Sequence, residues 1–249
     1  MTLRTDLQLF AATLDQGRRV EDARIGLGYC GVSLDNGQLG VAYTFLDSLS
    51  GGCGVYRGPR PLAGMPAGDL LAMAASDSAI ESALVLACIN ALVNTRERPY
   101  SDGAAIDNLD FRSDDRVGMI GHFAPLVSRI EPRVQAIEIF ERSPDQERGI
   151  RALEEAPAIL PDCDIALITS TTVLNNSIDE VLSMVEHCRE VVMLGTSTPM
   201  AAEVFADTPV TLLSGILVED TQGVLQAVSE GGGTPQLRPF TRKVNLRCT

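Results

Sequence analysis

Short apolar runs alternate with helix-like stretches from residue 117 to residue 230, and this pattern constrains the fold more than any other feature. The apolar runs cover residues 117–121, 136–140, 165–170, 191–195 and 211–218. The helix-like stretches lie near 124–131, 146–155, 175–188, 199–206 and 220–230. Strands separated by single helices form right-handed βαβ units and a parallel sheet. The pattern predicts an α/β chain whose residues 116–249 form a Rossmann-like domain with ligands at the carboxyl ends of its strands.

The preceding residues predict a smaller α+β domain. The turn sequence Asp35-Asn36-Gly37 separates two strand-like runs, which is typical of a β-hairpin. Helical spacing of apolar residues predicts helices on either side of the hairpin, and Ser76-Asp77-Ser78 breaks the second helical region with a candidate N-cap. The expected elements are a helix within 1–20, strands at 24–34 and 38–45, and helices between 69 and 94. We expect this domain to span residues 1–96 and the polar segment 97–115 to be a linker.

The composition is acidic, with 33 aspartates and glutamates, 20 lysines and arginines and a formal charge of -13. Nucleic acids and anionic membranes bind clustered positive charge, so we expect neither as a partner. No signal peptide and no apolar run long enough to cross a bilayer are evident, which predicts a cytoplasmic protein. Lys243 is the only lysine, and it falls in a polar C-terminal segment. This position argues against Schiff-base chemistry and against a P-loop lysine.

Glycines and polar residues, together with Phe123 and Pro125, follow three strands of the predicted parallel sheet. They are Gly121, His122, Phe123 and Pro125 after the first strand; Thr169, Ser170, Thr171, Thr172, Asn175 and Asn176 after the third; and Gly195, Thr196, Ser197 and Thr198 after the fourth. The carboxyl ends of parallel strands meet at one edge, so these groups predict a polar cleft that favours anions. Ordinary helix N-capping explains any one of these loops alone, but explains the three together less well.

The cysteines predict neither a disulfide framework nor a four-cysteine zinc site. The sequence contains six of them, and none forms a C-x-x-C pair. Cys53 lies in a glycine- and proline-rich stretch over residues 47–69. This stretch is either a solvated loop or a mobile flap over a site, and the sequence leaves both open.

Several of these stretches resemble a known family. Residues 117–127, 160–165, 169–177 and 194–200 are similar to motifs of a family described as heavy-metal chelation domains. Residues 39–44 and 82–91 resemble the domain that precedes it, which has an enolase N-terminal-like fold. The resemblance implies an enolase N-terminal-like domain joined to a Rossmann-like one, with a site in the cleft between them. It also implies a role with heavy metals or metal-containing, tetrapyrrole-like cofactors.

This sequence differs from the family pattern in small ways. His122 stands where the family often has an aromatic residue, Ala124 where it often has proline, and Met200 where leucine is more usual. The exchange of leucine for methionine conserves volume.

The resemblance favours a binding or chelation protein for a metal or a metal-containing small molecule. Neutral imidazole suits nickel, cobalt, iron and zinc, so His122 is the first candidate metal ligand and Cys53 the second. His187, the other histidine, precedes Cys188 on a predicted helix away from the cleft. The remaining metal ligands would come from a chelating small molecule such as a tetrapyrrole. A turn histidine bonded to backbone is an equally good interpretation of His122.

Two alternative functions stay open. The first is an enzyme that acts on a small anionic or phosphorylated metabolite, with His122 as general acid or base. The second is a nucleotide- or adenosylmethionine-binding protein with Glu141, about twenty residues after the glycine turn, on the ribose hydroxyls. Gly118 and Gly121 form only a G-x-x-G, and the missing third glycine argues against this alternative. A homodimer is common for proteins of this size.

Overall fold

Two β-sheets organise the fold in a computed structural model that describes residues 2–15, 17–45 and 54–248. The first sheet has three antiparallel strands in the order β1-β2-β3, and the second has eight strands. The elements around the first sheet are α1 (Leu3–Leu14), β1 (Val20–Ile25), β2 (Tyr29–Leu34), β3 (Leu39–Tyr43), α2 (Ala67–Leu71) and α3 (Ala79–Val93).

The predicted hairpin joins β2 to β3. Its turn is closed by hydrogen bonds from Leu34 N to Gln38 O and from Gly37 N to Leu34 O, both 2.8 Å long. Gly37 has a φ of +82°, a conformation that glycine adopts at low cost. The expectation of one strand over 24–34 was wrong, because the chain turns at Gly26 between β1 and β2. A Cβ at Gly26 would lie 2.1 Å from the carbonyl oxygen of Val228, so the close approach of α9 (Thr221–Ser229) requires glycine there.

Helix α3 lies against the small sheet and is buried along almost its whole length. Ser78 caps it by accepting a hydrogen bond from Glu81 N, as the sequence predicted. The helix is apolar on all sides, which is the pattern of a helix enclosed by other elements. Gly40 of β3 allows the closest contact, because a Cβ there would lie 2.1 Å from the carbonyl oxygen of Ala87. The core around α3 continues into the large sheet through residues such as Phe140.

The large sheet has the order β4-β11-β10-β9-β8-β5-β6-β7. Its strands are β4 (Ser101–Asp102), β5 (Arg116–Ile120), β6 (Ala136–Glu141), β7 (Ile150–Ala152), β8 (Ile165–Thr169), β9 (Glu190–Leu194), β10 (Leu212–Val218) and β11 (Thr241–Arg247). Neighbouring strands from β10 to β7 are parallel, whereas β11 is antiparallel to both β10 and β4. Numbered along the chain from β5, the parallel strands run 3-2-1-4-5-6, so the winding reverses between β5 and β8.

Short helices connect these strands. They are α4 (Ala124–Ile130), α5 (Ala156–Ile159), α6 (Thr171–Leu174), α7 (Ile178–Met184), α8 (Ala202–Phe205), the longer α9, and α10 (Thr234–Leu237). No helix of the described residues combines the length and the hydropathy that a membrane span requires.

The predicted class is confirmed: the chain is α/β, with a small α+β part ahead of a mostly parallel sheet. The helix expected over 146–155 was wrong, because this segment contains β7, whose short Ile150–Ala152 run pairs with β6. The interpretation of the residues around Lys243 as only a polar C-terminal segment was also wrong, because Thr241–Arg247 forms strand β11. Within the expected linker, Ser101–Asp102 forms β4 at the edge of the large sheet. The domain division at residues 96 and 115 stays a prediction.

Candidate functional site

A cavity of about 560 Å³ lies at the carboxyl ends of the parallel strands, between the two sheets. This is a usual size for a small-molecule site. The turns after β5, β8 and β9 form one side of it, and β10 and β11 form another. Tyr29 and Tyr43 of the small sheet line its opposite side. The cavity therefore depends on both parts of the chain.

The turn between β5 and α4 is built on Gly121, whose φ is +92° and whose Cα faces the side chain of Thr169. His122 follows, half-buried and lining the cavity. Its backbone N–H donates a hydrogen bond of 2.7 Å to Oε1 of Glu141, at the end of β6. One N–H of the turn thus already donates to a carboxylate, which leaves the turn with fewer N–H donors for an anionic ligand. The same bond occupies one oxygen of the carboxylate that the nucleotide alternative needs for ribose.

The turns after β8 and β9 supply hydroxyl groups. The side-chain oxygens of Thr169 and Thr171 lie 3.0 Å apart, and both residues line the cavity. A Cβ at Gly195 would lie 2.7 Å from Oγ of Ser170, so glycine lets these two turns pack together. The Ser197 hydroxyl accepts a 2.8 Å hydrogen bond from Tyr43 N, which ties the turn after β9 to the small sheet.

Asn90 of α3 and Asn94, which directly follows this helix, hold the turn after β9 from the other side. Asn90 Nδ2 donates to the carbonyl oxygens of Val41 (2.9 Å) and Ser197 (3.0 Å). Asn94 Nδ2 donates to Thr198 O (3.1 Å), and its Oδ1 accepts from Met200 N (2.8 Å). Asn90 is buried and its amide nitrogen donates both of these bonds. These bonds fix one wall of the cavity relative to the small sheet.

Nine of the predicted binding residues line this cavity. They are His122, Phe123, Pro125, Thr169, Ser170, Thr171, Gly195, Thr196 and Ser197. The other five are not among the residues that line it, namely Gly121, Thr172, Asn175, Asn176 and Thr198. The Thr172 and Thr198 hydroxyls donate to Thr169 O and Gly195 O, so they stabilise the turns themselves. A binding role for any of these residues stays a prediction.

Sequence reasoning missed a second wall of the cavity. It runs from α10 to β11 and consists of Thr234, Leu237, Arg238, Thr241 and Lys243. Lys243 pairs with Ile216 across the ladder between β10 and β11, so its placement in a polar terminal segment was wrong. The argument against lysine chemistry that rested on this placement no longer holds. The alternation of Lys243 and Asn245 with Val244 and Leu246 was the available strand signal.

The ionisable side chains of this cavity are unusual for such an acidic chain. Among the residues that the structure describes, no aspartate or glutamate lines it, whereas His122, Arg238 and Lys243 do. Within the same residues, neither Arg238 nor Lys243 lies within 4.0 Å of a carboxylate oxygen. The cavity is therefore a positively charged region in a protein of formal charge -13.

In the part of the chain that the structure describes, the cavity has no protein-only metal site. Residues 2–15, 17–45 and 54–248 hold no group of three or more His, Cys, Asp or Glu side chains that could bind a metal ion. Burial raises the pKa of five cysteines, to about 11 for Cys30 and Cys163 and to about 12 for Cys88, Cys188 and Cys248. None of these five cysteines lines the cavity, so they do not supply ligands to a metal bound there.

The two remaining metal-ligand candidates differ in what the structure says of them. Cys53 lies outside the described residues, and His122 lines the cavity. The exposed His187 is not among the residues that line it. The donors here fit a metal complex whose other ligands come from a small molecule, and they fit a bare divalent cation poorly, because two cationic side chains line the same cavity.

Two family models match the chain, and both carry the description "Putative heavy-metal chelation". The model DUF4213 matches residues 7–93 and DUF364 matches residues 104–247. An uncharacterized protein of Methanocaldococcus jannaschii is 26% identical over 216 residues, which is 83% of this chain and 82% of that protein.

Two solved structures of DUF364 proteins with unknown function share the fold. The structure from Pyrococcus horikoshii has a TM-score of 0.86 at 20% identity and covers 99% of this chain and 100% of its own. The structure from Desulfitobacterium hafniense has a TM-score of 0.78 at 23% identity and covers 98% of each chain.

Proposed function

Because the chain belongs to the heavy-metal chelation family, we propose that it binds a metal-containing small molecule in the cavity between its two sheets. The family description supports metal binding in general. Our proposal is narrower: His122 supplies one ligand to the metal, and an organic chelator supplies the others. The metal would be nickel, cobalt, iron or zinc, and the chelator a tetrapyrrole-like molecule, which imidazole ligation suits.

The set of donors in the cavity carries this proposal. A volume of about 560 Å³ is much larger than a single ion requires and lies within the range of small-molecule sites. Of the metal-binding residue types, only one imidazole lines the cavity among the described residues. The Glu141 carboxylate holds the backbone at His122, so the imidazole stands on a fixed turn.

We also propose a fold type for each of the two parts of the chain and a second metal ligand. The parallel sheet reverses its winding at the cavity, which supports the Rossmann-like description of this domain. The small sheet with its helices would be the enolase N-terminal-like domain. The Cys53 thiol is retained as a second candidate metal ligand.

Elemental analysis and absorption spectra of protein purified without oxygen test this function. The matched variants are His122→Ala and His187→Ala, because the chain has two histidines and only the first lines the cavity. We expect stoichiometric metal in the wild type and in His187→Ala, and its loss in His122→Ala. Metal-free protein that also takes up neither added metals nor metallo-tetrapyrroles would refute the proposal. Full retention of metal by His122→Ala would remove His122 from it.

The positive charge favours a second function, the turnover of a small anionic or phosphorylated metabolite. His122 would then act as general acid or base, with Thr169 and Thr171 hydroxyls near the substrate. An enzyme of this kind is expected to purify without a bound metal or chromophore. The same spectra therefore separate the two functions.

A further inference from the structure

The geometry points to an oxyanion-binding region at Arg238 and Lys243, which recognises the acidic periphery of an extended ligand whose other end reaches His122. This inference rests on the proposed function, because it names the chemical class of the molecule that the same cavity takes. The shared chemistry is that of an oxyanion, either carboxylate or phosphate.

The charge of the lining residues is the first support. The chain has one lysine, and this lysine lines the cavity together with Arg238. Most arginines elsewhere pair with carboxylates, as Arg189 does with Asp115 at 2.8 Å. Among the described residues, Arg238 and Lys243 have no such partner within 4.0 Å and donate no side-chain hydrogen bond. Their donors are free for a ligand, and guanidinium and ammonium groups both bind oxyanions.

A pair of hydroxyl groups on the cavity wall adds a neutral donor. The Thr234 hydroxyl on α10 is 2.7 Å from the Tyr29 hydroxyl, which links this wall to the small sheet. One of the two donates to the other, so one hydroxyl proton of the pair is left for an oxyanion. The Thr241 hydroxyl donates to Leu237 O (3.1 Å), so it holds the start of β11 against α10 and is not a donor to the ligand.

The sheet order sets the size of the ligand. His122 follows β5 and Lys243 lies on β11, and four interstrand spacings separate these strands in the order β11-β10-β9-β8-β5. At about 4.8 Å each, the backbones lie about 19 Å apart across the sheet. A free phosphate or a small carboxylate cannot contact both ends. A ligand that does so carries its oxyanion group on an extended framework.

An aromatic surface lies between the two ends. Tyr43 lines the cavity with 37% of its surface exposed, although it packs edge-on against both Tyr29 and Phe45 with ring centroids 5.9 and 5.2 Å apart. A partly exposed tyrosine that its neighbours hold in place offers apolar contact area to a flat organic ligand. The predicted ligand is therefore extended, partly flat and anionic at one end.

Binding of iron protoporphyrin IX and of its dimethyl ester tests the region directly, since the two molecules differ only in their carboxylates. The variants are Arg238→Gln, Lys243→Gln and the charge-conserving Lys243→Arg, with Arg148→Gln as a control because Arg148 is exposed and outside the cavity. We expect the wild type to bind the acid at least tenfold more tightly than the ester. Each Gln variant should weaken acid binding roughly tenfold and leave ester binding unchanged. Lys243→Arg and Arg148→Gln should bind both as the wild type does.

The outcomes separate this inference from the proposed function. Equal binding of acid and ester by the wild type and both Gln variants would refute the oxyanion region and leave the metal-complex function intact. If neither molecule binds and no other metal complex is taken up, both proposals fall.

A second measurement needs no metal. Lys243 is the only lysine, so amine acetylation by an N-hydroxysuccinimide ester, followed by mass spectrometry, reports on this side chain alone among lysines. Citrate and inorganic phosphate are the probes, with sodium chloride at equal ionic strength as the control. We expect one of them to slow acetylation severalfold, and the more protective one identifies carboxylate or phosphate as the preferred group. If neither protects more than chloride, the assignment is wrong.

Discussion

Replacing Asn90 by alanine should loosen the cavity wall that α3 holds. The change removes two hydrogen bonds, to Val41 O and Ser197 O, and at 0.5–1.5 kcal/mol each they contribute about 1–3 kcal/mol. Among the described residues, Asn90 Oδ1 has no partner, so its removal recovers about 1 kcal/mol. The small cavity left beside a buried helix costs about 1 kcal/mol, which offsets this gain. The net loss should be about 2 kcal/mol in the free energy of unfolding.

Urea unfolding at pH 7 measures this loss, and hydrogen exchange of residues 195–200 measures its location. We expect faster exchange in this turn, because Asn90 is one of its links to the small sheet. The matched control is Asn36→Ala, an exposed asparagine whose Oδ1 accepts from Gln38 N in the hairpin turn; it should cost about 1 kcal/mol at most and leave exchange of residues 195–200 unchanged. A loss below 0.5 kcal/mol for Asn90→Ala, together with unchanged exchange, would show that this asparagine does not hold the wall.

Two further changes test the fold around the site. The Asp115 pKa is lowered because hydrogen bonds from the Arg189 side chain and Arg112 N outweigh burial, which alone would raise it. Asp115→Asn should therefore cost about 3 kcal/mol above about pH 4, and progressively less as the pH falls below this value and the wild-type carboxyl is protonated. Urea unfolding against pH measures this, with the exposed Asp114→Asn expected to show no such loss. Gly40→Ala should lower the free energy of unfolding by at least about 1–3 kcal/mol, because the added Cβ would overlap α3. In the control Gly54→Ala the added Cβ meets open space, so the urea midpoint should not change.

The sequence predicted the large sheet well because its signals are local. Each buried strand is a short apolar run, and the polar residues after it must lie at the carboxyl edge once the strands are parallel. Thr169 and Ser197 could therefore be placed at one cavity although they are far apart in sequence. The same reasoning could not tell which polar side chains would form hydrogen bonds within their own turns, as the hydroxyls of Thr172 and Thr198 do.

The sequence analysis missed the cavity wall from α10 to β11 because local sequence patterns do not show it. The residues of β11 alternate only briefly, and a strand this polar is stabilised by its neighbours β10 and β4 rather than by its own apolar residues. Tyr29 and Tyr43 were placed in the hairpin, but nothing in their spacing shows which side of the small sheet meets the large one. Contacts between separately patterned domains leave no periodic signal in sequence. The cationic part of the cavity was consequently absent from the sequence-based site.

The position of β11 also determines when the cavity can first exist in a growing chain. Strand β4 at residues 101–102 has β11 as its sheet neighbour, and β11 begins only at residue 241. On the ribosome, α3 and the small sheet can form long before that strand emerges from the exit tunnel. A nascent chain that has passed residue 198 already contains His122 and the hydroxyl-bearing turns, yet it lacks Arg238 and Lys243. The ligand that we propose could contact both ends of the cavity only after synthesis has passed residue 243.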